Sequence, residues 1–208
     1  MGLKSRLLDR RLTINGALYQ IDWTDVQQRV ELQCGFPFIA NFGKAESKGG
    51  EVEIQYLPFN GLRLSASAGY TDAKLTATVP GTQGQAGDPL ANVPRWTAAA
   101  AADFTRPIST SLTAFGQVAY SFTDETYRNF NRDSPYRVRP SFELVDLRFG
   151  VQADDERWQV SLFVDNVLNK IAQSGLYDSD TGADLPYTRA VGITQPRTFG
   201  LNAGYRFE

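Results

Sequence analysis

The chain contains no histidine, a single cysteine and a single methionine in 208 residues. Without histidine, Ser-His and Cys-His catalysis and imidazole metal sites are excluded. The lone cysteine, Cys34, cannot form a disulfide within the chain, and we interpret it as a loop thiol. We therefore predict that the chain is not an enzyme and that it holds no metal and no other cofactor.

Long hydrophobic runs are also missing, and so is a strong charge of one sign. Nowhere do about 18 apolar residues follow one another, so no transmembrane helix is predicted. The residues after Met1 do not resemble a signal peptide. A hydrophobic content of 42% with a net charge of -2 excludes a disordered chain and a basic nucleic-acid binder.

Apolar and polar residues alternate with period two in long segments, which is the pattern of β-strands with one apolar face. Two aromatic residues, Phe115 and Phe163, interrupt otherwise polar faces. Residues 12–23 alternate too but change phase near Asn15 and Gly16, which we interpret as a bulge. The remaining segments are residues 51–56, 62–71, 96–104, 112–122, 145–152, 158–165 and 198–207.

The connections between these segments alternate in length. Residues 58–61, 106–109 and 154–157 are short, whereas residues 27–44, 76–93, 123–141 and 169–195 are long. Short turns at one end and long extracellular loops at the other are typical of bacterial outer-membrane barrels. The spacing predicts an all-β, antiparallel meander of about eight full strands.

Four features favour a transmembrane β-barrel over a soluble β-sandwich. The apolar faces of the later strands carry no charge through their middles, which are often plain alanine, as at Ala98 and Ala100. The opposite faces mix charges of both signs, as a polar barrel interior does. Aromatic residues stand at strand ends on the apolar face, where interfacial girdles belong: Tyr56, Tyr70, Trp96, Phe104, Tyr120, Phe122, Trp158 and Tyr205.

Several stretches resemble TonB-dependent receptors, the active transporters of the bacterial outer membrane. Residues 12–27 resemble the family's strand that leads into an extracellular loop, and residues 42–49 resemble its return strand. Residues 92–96 are similar to a loop-to-strand entry of these barrels. FVDNVLNK, at 163–170, is similar to the family's Asn-Leu-Phe-Asp-Lys motif.

The last strand carries the most specific part of the resemblance. Apolar residues alternate backwards from an aromatic residue, similar to the signal that the barrel insertion machinery reads. One residue, Glu208, follows the aromatic that is normally last. The proposed assembly signal consists of Phe199, Leu201, Ala203, Tyr205 and Phe207.

The resemblance implies a fold and a function. The family's fold is a barrel of roughly 22 strands around an amino-terminal plug. Residues 1–208 would be the carboxyl-terminal segment of that barrel, without the plug. Residues 2–7 resemble the second half of a strand, so we expect one partial strand beside the eight full ones and an incomplete barrel.

The implied function is uptake of a scarce, bulky nutrient across the Gram-negative outer membrane. Siderophore-iron, cobalamin or an oligosaccharide would be the small-molecule ligand, and the TonB complex would supply energy through the missing amino-terminal part. Outer-membrane lipid, lipopolysaccharide and the insertion machinery would be further partners. The alternatives are a self-contained small outer-membrane barrel acting as anchor or adhesin, and a soluble sugar-binding sandwich.

One loop combines arginines with aromatic residues. Such a set can hold an anionic ligand through bidentate hydrogen bonds and stacking. The same side chains could instead contact lipopolysaccharide phosphates or remain solvated. The candidate substrate-binding residues are Tyr127, Arg128, Arg132, Tyr136, Arg137 and Arg139.

The acidic stretch from Asp178 to Asp184 resembles a calcium loop only in part. Arg189 occupies the twelfth position, where a bidentate glutamate is required, and the glycine comes one position early. We interpret it as an acidic extracellular loop.

Overall fold

The computed structural model describes residues 1–25, 27–31, 37–41, 43–79, 83–133, 137–178 and 189–207. Within these ranges the regular structure consists of β-strands. Their bounds are β1 Gly2–Leu7, β2 Leu12–Thr24, β3 Gln27–Glu31, β4 Pro37–Asn41, β5 Lys44–Phe59, β6 Leu62–Leu75, β7 Trp96–Pro107, β8 Leu112–Thr123, β9 Thr126–Tyr127, β10 Val138–Arg139, β11 Phe142–Ala153, β12 Trp158–Asp165, β13 Gln173–Asp178, β14 Arg189–Ile193 and β15 Thr198–Tyr205. No helix in the described ranges could span a membrane.

Nine strands form one sheet in the order β1-β2-β5-β6-β7-β8-β11-β12-β15. The predicted meander, with eight full strands and a partial strand at β1, is confirmed. The sheet is not closed, because β1 and β15 are its two edges. Three separate two-stranded sheets, β3–β4, β9–β10 and β13–β14, lie within the long connections and were not predicted.

Contacts along the backbone group the described chain into two units. The first contains residues 1–55, 66–98 and 123–141, and the second contains residues 56–65, 99–122 and 142–208.

In the second unit, the register confirms the predicted alternation. Phe149 of β11 lies opposite Leu162 of β12, and Leu162 lies opposite Leu201 of β15. These three apolar side chains are 55%, 47% and 63% exposed. On the other face the same strands pair Gly150 with Ser161 and Ser161 with Asn202. One face is therefore apolar and uncovered, and the other is polar.

The two aromatic interruptions of the polar face have a packing role. Phe163 of β12 lies opposite Gly200 of β15, and a Cβ atom on Gly200 would lie 2.7 Å from its ring. A Cβ on Gly150 would lie 2.8 Å from the ring of Phe115. Each ring thus covers a glycine of a neighbouring strand, where a larger side chain has no room.

In the first unit, a tyrosine fills the same kind of space. The Tyr19 hydroxyl lies 2.7 Å from Thr71 Oγ1, and the tyrosine side chain occupies the position where a Cβ on Gly49 would lie. Tyr19 and Thr71 therefore share the polar face across the intervening strand β5.

The prediction of a bulge at Asn15 and Gly16 is wrong for the pairing of β2 with β1. The pairing of β1 with β2 runs without a shift from Gly2 opposite Ala17 to Leu7 opposite Leu12. Asn15 donates a hydrogen bond to Glu53, so it lies on the polar face like Tyr19. The apparent change of phase arises because Ile21 and Trp23 are apolar although they alternate in step with Tyr19, on the polar face.

A charge in the apolar row should destabilise the protein, whereas the same charge on the polar face should not. We expect Leu162→Lys to cost about 2–4 kcal/mol of folding free energy in lipid, the cost of a lysine at mid-membrane depth in a barrel. Asn202→Lys, opposite Ser161 on the polar face, is the matched control. Urea unfolding of the intact protein in vesicles measures both, and equal costs would contradict the assignment of faces.

The contact between Phe163 and Gly200 should be visible as a coupling energy. Gly200→Val places side-chain atoms where the ring lies, so we expect it to destabilise the protein strongly. In the Phe163→Ala background the same change should cost less by about 1–2 kcal/mol, since contacting residues are not additive. Additive effects in the double-mutant cycle would show that the ring does not rest on the glycine.

Candidate functional site

The predicted arginine loop begins and ends as a short hairpin in the first unit. Thr126 and Tyr127 of β9 pair with Arg139 and Val138 of β10. The Arg128 N–H donates to the Arg137 carbonyl at 2.8 Å, which extends the pairing by one step. The hairpin brings Tyr127, Arg128, Arg137 and Arg139 together, while Tyr136 lies outside the described residues.

The arginines of this hairpin have different roles. Arg139 Nε donates to Thr126 Oγ1 at 2.9 Å, and Thr126 is fully buried, so Arg139 holds the hairpin together. The Arg137 guanidinium carbon lies 4.9 Å from the centroid of the Tyr127 ring, within the range of a cation–π contact. Among the described residues, Arg137 Nε is buried without a hydrogen-bond partner.

Arg132 pairs with a residue that the sequence did not single out. Its Nη2 lies 2.8 Å from Asp88 Oδ1, and the backbone N–H of Gln85 donates to Asp88 Oδ2 at 2.8 Å. The Asp88 side chain is 5% exposed and that of Arg132 is 57% exposed. Burial raises the pKa of Asp88, but the Gln85 N–H, Arg132 and Arg137 outweigh it and hold the pKa below its ordinary value.

The position of Asp88 is fixed by a loop that folds back on β6. Leu75 N–H donates to the Asp88 carbonyl at 2.9 Å, and Gly87 N–H donates to the Leu75 carbonyl at 2.8 Å. Leu75 and Val79 are both almost completely buried. Asn92 N–H donates to the Tyr127 carbonyl at 2.7 Å, which joins the loop to the arginine hairpin.

The cavity beside Tyr127 is too small for a bulky nutrient. It measures about 180 Å³ and is lined with charges of both signs, among them Asp72, Lys74, Arg95 and Glu125. Pockets for drug-sized ligands usually measure about 300–1,000 Å³. A ligand of the loop would therefore contact its surface, where Arg132 is the most accessible of the predicted cations with described side chains.

A second buried polar group, Asn166, lies in the second unit at the end of β12. Its side chain accepts from the Lys170 N–H and donates to the carbonyls of Lys170 and Gln195, all between 2.8 and 2.9 Å. Its own N–H donates to Asp146 Oδ1 at 2.8 Å. Asn166 has a φ of 52° and is 3% exposed. It belongs to the FVDNVLNK stretch, and its hydrogen bonds tie the start of the last long connection to its end.

The proposed assembly signal occupies the apolar face of the edge strand β15 and the residues just after it. Phe199, Leu201, Tyr205 and Phe207 are 60–83% exposed. The Tyr205 and Phe207 rings contact each other, with centroids 4.8 Å apart. Recognition of these residues by the insertion machinery stays a prediction.

No group of three or more His, Cys, Asp or Glu residues could hold a metal ion in the described part of the chain. The acidic stretch from Asp178 to Asp184 lies almost entirely outside it, as does Cys34.

Comparisons with known proteins all point to one type of barrel. A family model described as "TonB dependent receptor-like, beta-barrel" matches residues 1–167. The structure of the ferric yersiniabactin uptake receptor FyuA from Yersinia pestis superposes with a TM-score of 0.76 at 19% identity, over 97% of this chain and 28% of that one. The copper transporter OprC gives 0.72 at 16% identity, over 99% and 30%.

A third similar structure is the ferripyoverdine receptor of the outer membrane of Pseudomonas aeruginosa. It superposes with a TM-score of 0.67 at 17% identity, over 97% of this chain and 26% of the receptor. The chain thus spans about a quarter to a third of the length of these proteins. At such low identity the likeness shows the fold alone.

The ion pair between Asp88 and Arg132 should give the loop an acid-dependent stability. Because the pKa of Asp88 is lowered in the folded state from 3.8, the contribution is present above that value and is lost as the pH falls below it. We expect the protection of the Gly87 and Leu75 amides against hydrogen exchange, relative to the intrinsic exchange rate at each pH, to fall below this pH in the intact protein. Asp88→Asn should exchange faster already at pH 7, with a loss of about 1 kcal/mol, and should lose this acid response. An unchanged acid response in Asp88→Asn would assign the effect to another group.

Proposed function

The chain belongs to the TonB-dependent receptor-like β-barrel family, and from this premise we propose that it forms part of the wall of an outer-membrane transporter. The family consists of transporters and receptors. The observation that carries the proposal is the uncovered row of Phe149, Leu162 and Leu201 opposite a polar face. Soluble monomers rarely expose a contiguous apolar surface of this kind, whereas a barrel in a membrane requires one.

The transported substrate would be a scarce, bulky nutrient, and entry would be energised through TonB. Siderophore-iron is favoured because two of the similar structures are named as a ferric yersiniabactin uptake receptor and a ferripyoverdine receptor. The copper transporter has the same fold, so the fold does not select the cargo. Cobalamin and oligosaccharides remain within the proposed class.

For the ligand contact we propose the surface of the arginine loop. An anionic ligand would contact Tyr127, Arg128, Arg132 and Arg137, together with Tyr136. Arg139 would support them, because it holds Thr126. A ferric siderophore complex with carboxylate or catecholate oxygens carries negative charge, which guanidinium groups bind through paired hydrogen bonds.

A self-contained small barrel that acts as an anchor or adhesin is less well supported. Such a barrel would require its first and last strands to pair, and β1 and β15 are instead the edges of an open sheet in the described residues.

Ligand binding by the intact protein tests the proposal. Deletion of its gene should abolish TonB-dependent uptake of one iron complex from a panel of ferric siderophores, ferric citrate and cobalamin. Arg132→Gln should weaken binding of that complex about threefold to tenfold, the effect of losing one exposed charge-assisted contact. Arg106→Gln, near the end of β7, is the control.

Equal binding by wild type and Arg132→Gln would contradict the loop assignment. Normal uptake of every compound in the deletion strain would contradict the transport proposal itself.

A further inference from the structure

The two members of the Asp88–Arg132 ion pair differ in how firmly the fold holds them. The Asp88 side chain is 5% exposed, its Oδ2 accepts from the Gln85 N–H at 2.8 Å, and its carbonyl accepts from the Leu75 N–H at 2.9 Å. The Arg132 side chain is 57% exposed. The carboxylate is therefore the fixed partner, and the guanidinium is the partner that it holds.

The backbone on both sides of Arg132 is held by two asparagine side chains. Asn129 Oδ1 accepts from the Asn131 N–H at 3.1 Å, and Asn131 Oδ1 accepts from the Asp133 N–H at 2.9 Å. In such an Asx turn, the side chain accepts a hydrogen bond from the backbone two residues later and fixes the chain locally. Arg132 is thus restrained at its backbone by these turns and at its guanidinium by Asp88.

The ion pair leaves other N–H groups of the guanidinium available. Asp88 Oδ1 accepts a hydrogen bond from Nη2 of Arg132 at 2.8 Å. A guanidinium carries several N–H donors in one plane, so a second anion can bind beside the first. Displacing Asp88 would leave a buried carboxylate without this cation, which is costly. An arginine that is already held also loses less side-chain entropy when a ligand binds.

We propose that Asp88 is a positioning residue for ligand binding: it holds the Arg132 guanidinium at the surface of the arginine loop, and an anionic group of the ligand binds the N–H groups that remain. The Asn92 N–H donates to the Tyr127 carbonyl at 2.7 Å, so the loop that contains Asp88 is also attached to the arginine hairpin. The contact selects ligands with negative charge, because hydrogen bonds between two charged groups are the strong ones. This inference rests on the proposed ligand contact of the arginine loop.

The sign of the effect of Asp88→Asn separates positioning from simple electrostatics. Removal of a carboxylate makes the site more positive, so Coulomb attraction alone would strengthen the binding of an anion. Loss of positioning should weaken that binding instead. Asp133→Asn is the matched control, because it removes the charge of an exposed carboxylate next to Arg132 and leaves the Asp88 ion pair intact.

Binding is measured in the intact protein, purified in mild detergent, by the quenching of tryptophan fluorescence. The anionic probes are ferric citrate, ferripyoverdine and a ferric tris-catecholate complex, and cyanocobalamin is the neutral probe. We expect Asp88→Asn to weaken binding of an anionic complex about twofold to fivefold, the effect of losing one partly exposed ion pair. Asp133→Asn should match wild type or bind slightly more tightly, and binding of cyanocobalamin should not depend on Asp88.

A double-mutant cycle separates positioning from a structural role. In the Arg132→Gln background, Asp88→Asn should have no further effect on binding, since Asp88 acts through Arg132. Heat-modifiable gel migration shows whether each variant is folded. Asp88→Ala is the second variant, with the same expected result, if Asp88→Asn fails to fold.

Two results would overturn the inference. One is unchanged or tighter binding of the anionic complex by the folded Asp88 variant. The other is an equal loss in the wild-type and Arg132→Gln backgrounds, which would make the role of Asp88 structural. Failure of the wild-type protein to bind any anionic probe, or unchanged binding in Arg132→Gln, would instead contradict the proposed ligand contact, and the inference with it.

Discussion

The apolar side chains on one face of the nine-stranded sheet require a hydrocarbon environment, because the described part of the chain leaves them uncovered. Leu162 is flanked across the strands by Phe149 and Leu201, and all three are about half exposed or more. Exposure of such a row to water would cost about 25 cal/mol of free energy per Å² of apolar surface. Lipid removes that cost, and the same constraint explains why the polar residues collect on the other face.

On the polar face, aromatic rings pack over glycines of neighbouring strands. Phe163 covers Gly200, Phe115 covers Gly150, and Tyr19 covers Gly49. In a soluble sheet a glycine within a strand leaves a weak point, since it has no side chain to pack. Here the ring of a neighbouring strand lies over each glycine, and at Gly49 and Gly150 a backbone carbonyl oxygen is closer still, so these positions exclude other side chains.

Much of the sheet was predictable from the sequence, because a strand with one apolar face repeats with period two. Each long alternating segment became a strand, and residues 2–7 became the partial strand β1. The bulge predicted near Asn15 was wrong, because Ile21 and Trp23 are apolar residues that lie on the polar face near the loop. The hairpins within the long connections lack such a pattern and were missed.

The residue types of the candidate site were predictable from the sequence, but their hydrogen bonds and ion pairs were not. The pairing of Asp88 with Arg132 joins residues 44 positions apart, which no local pattern reveals. The buried Asn166 network depends likewise on Gln195, in the same unit but 29 residues away. Only the structure therefore distinguishes the roles of the arginines: Arg139 holds the hairpin, while Arg132 is exposed.

Spin labelling of β12 in lipid tests the membrane assignment most directly. With Cys34→Ser as background, single cysteines are placed at positions 159 to 164 of the intact protein and labelled. Accessibility to oxygen, which concentrates in hydrocarbon, should peak at positions 160, 162 and 164 and fall at 159, 161 and 163. High accessibility of positions 160, 162 and 164 to a water-soluble nickel complex would contradict the assignment, because those side chains would then face water.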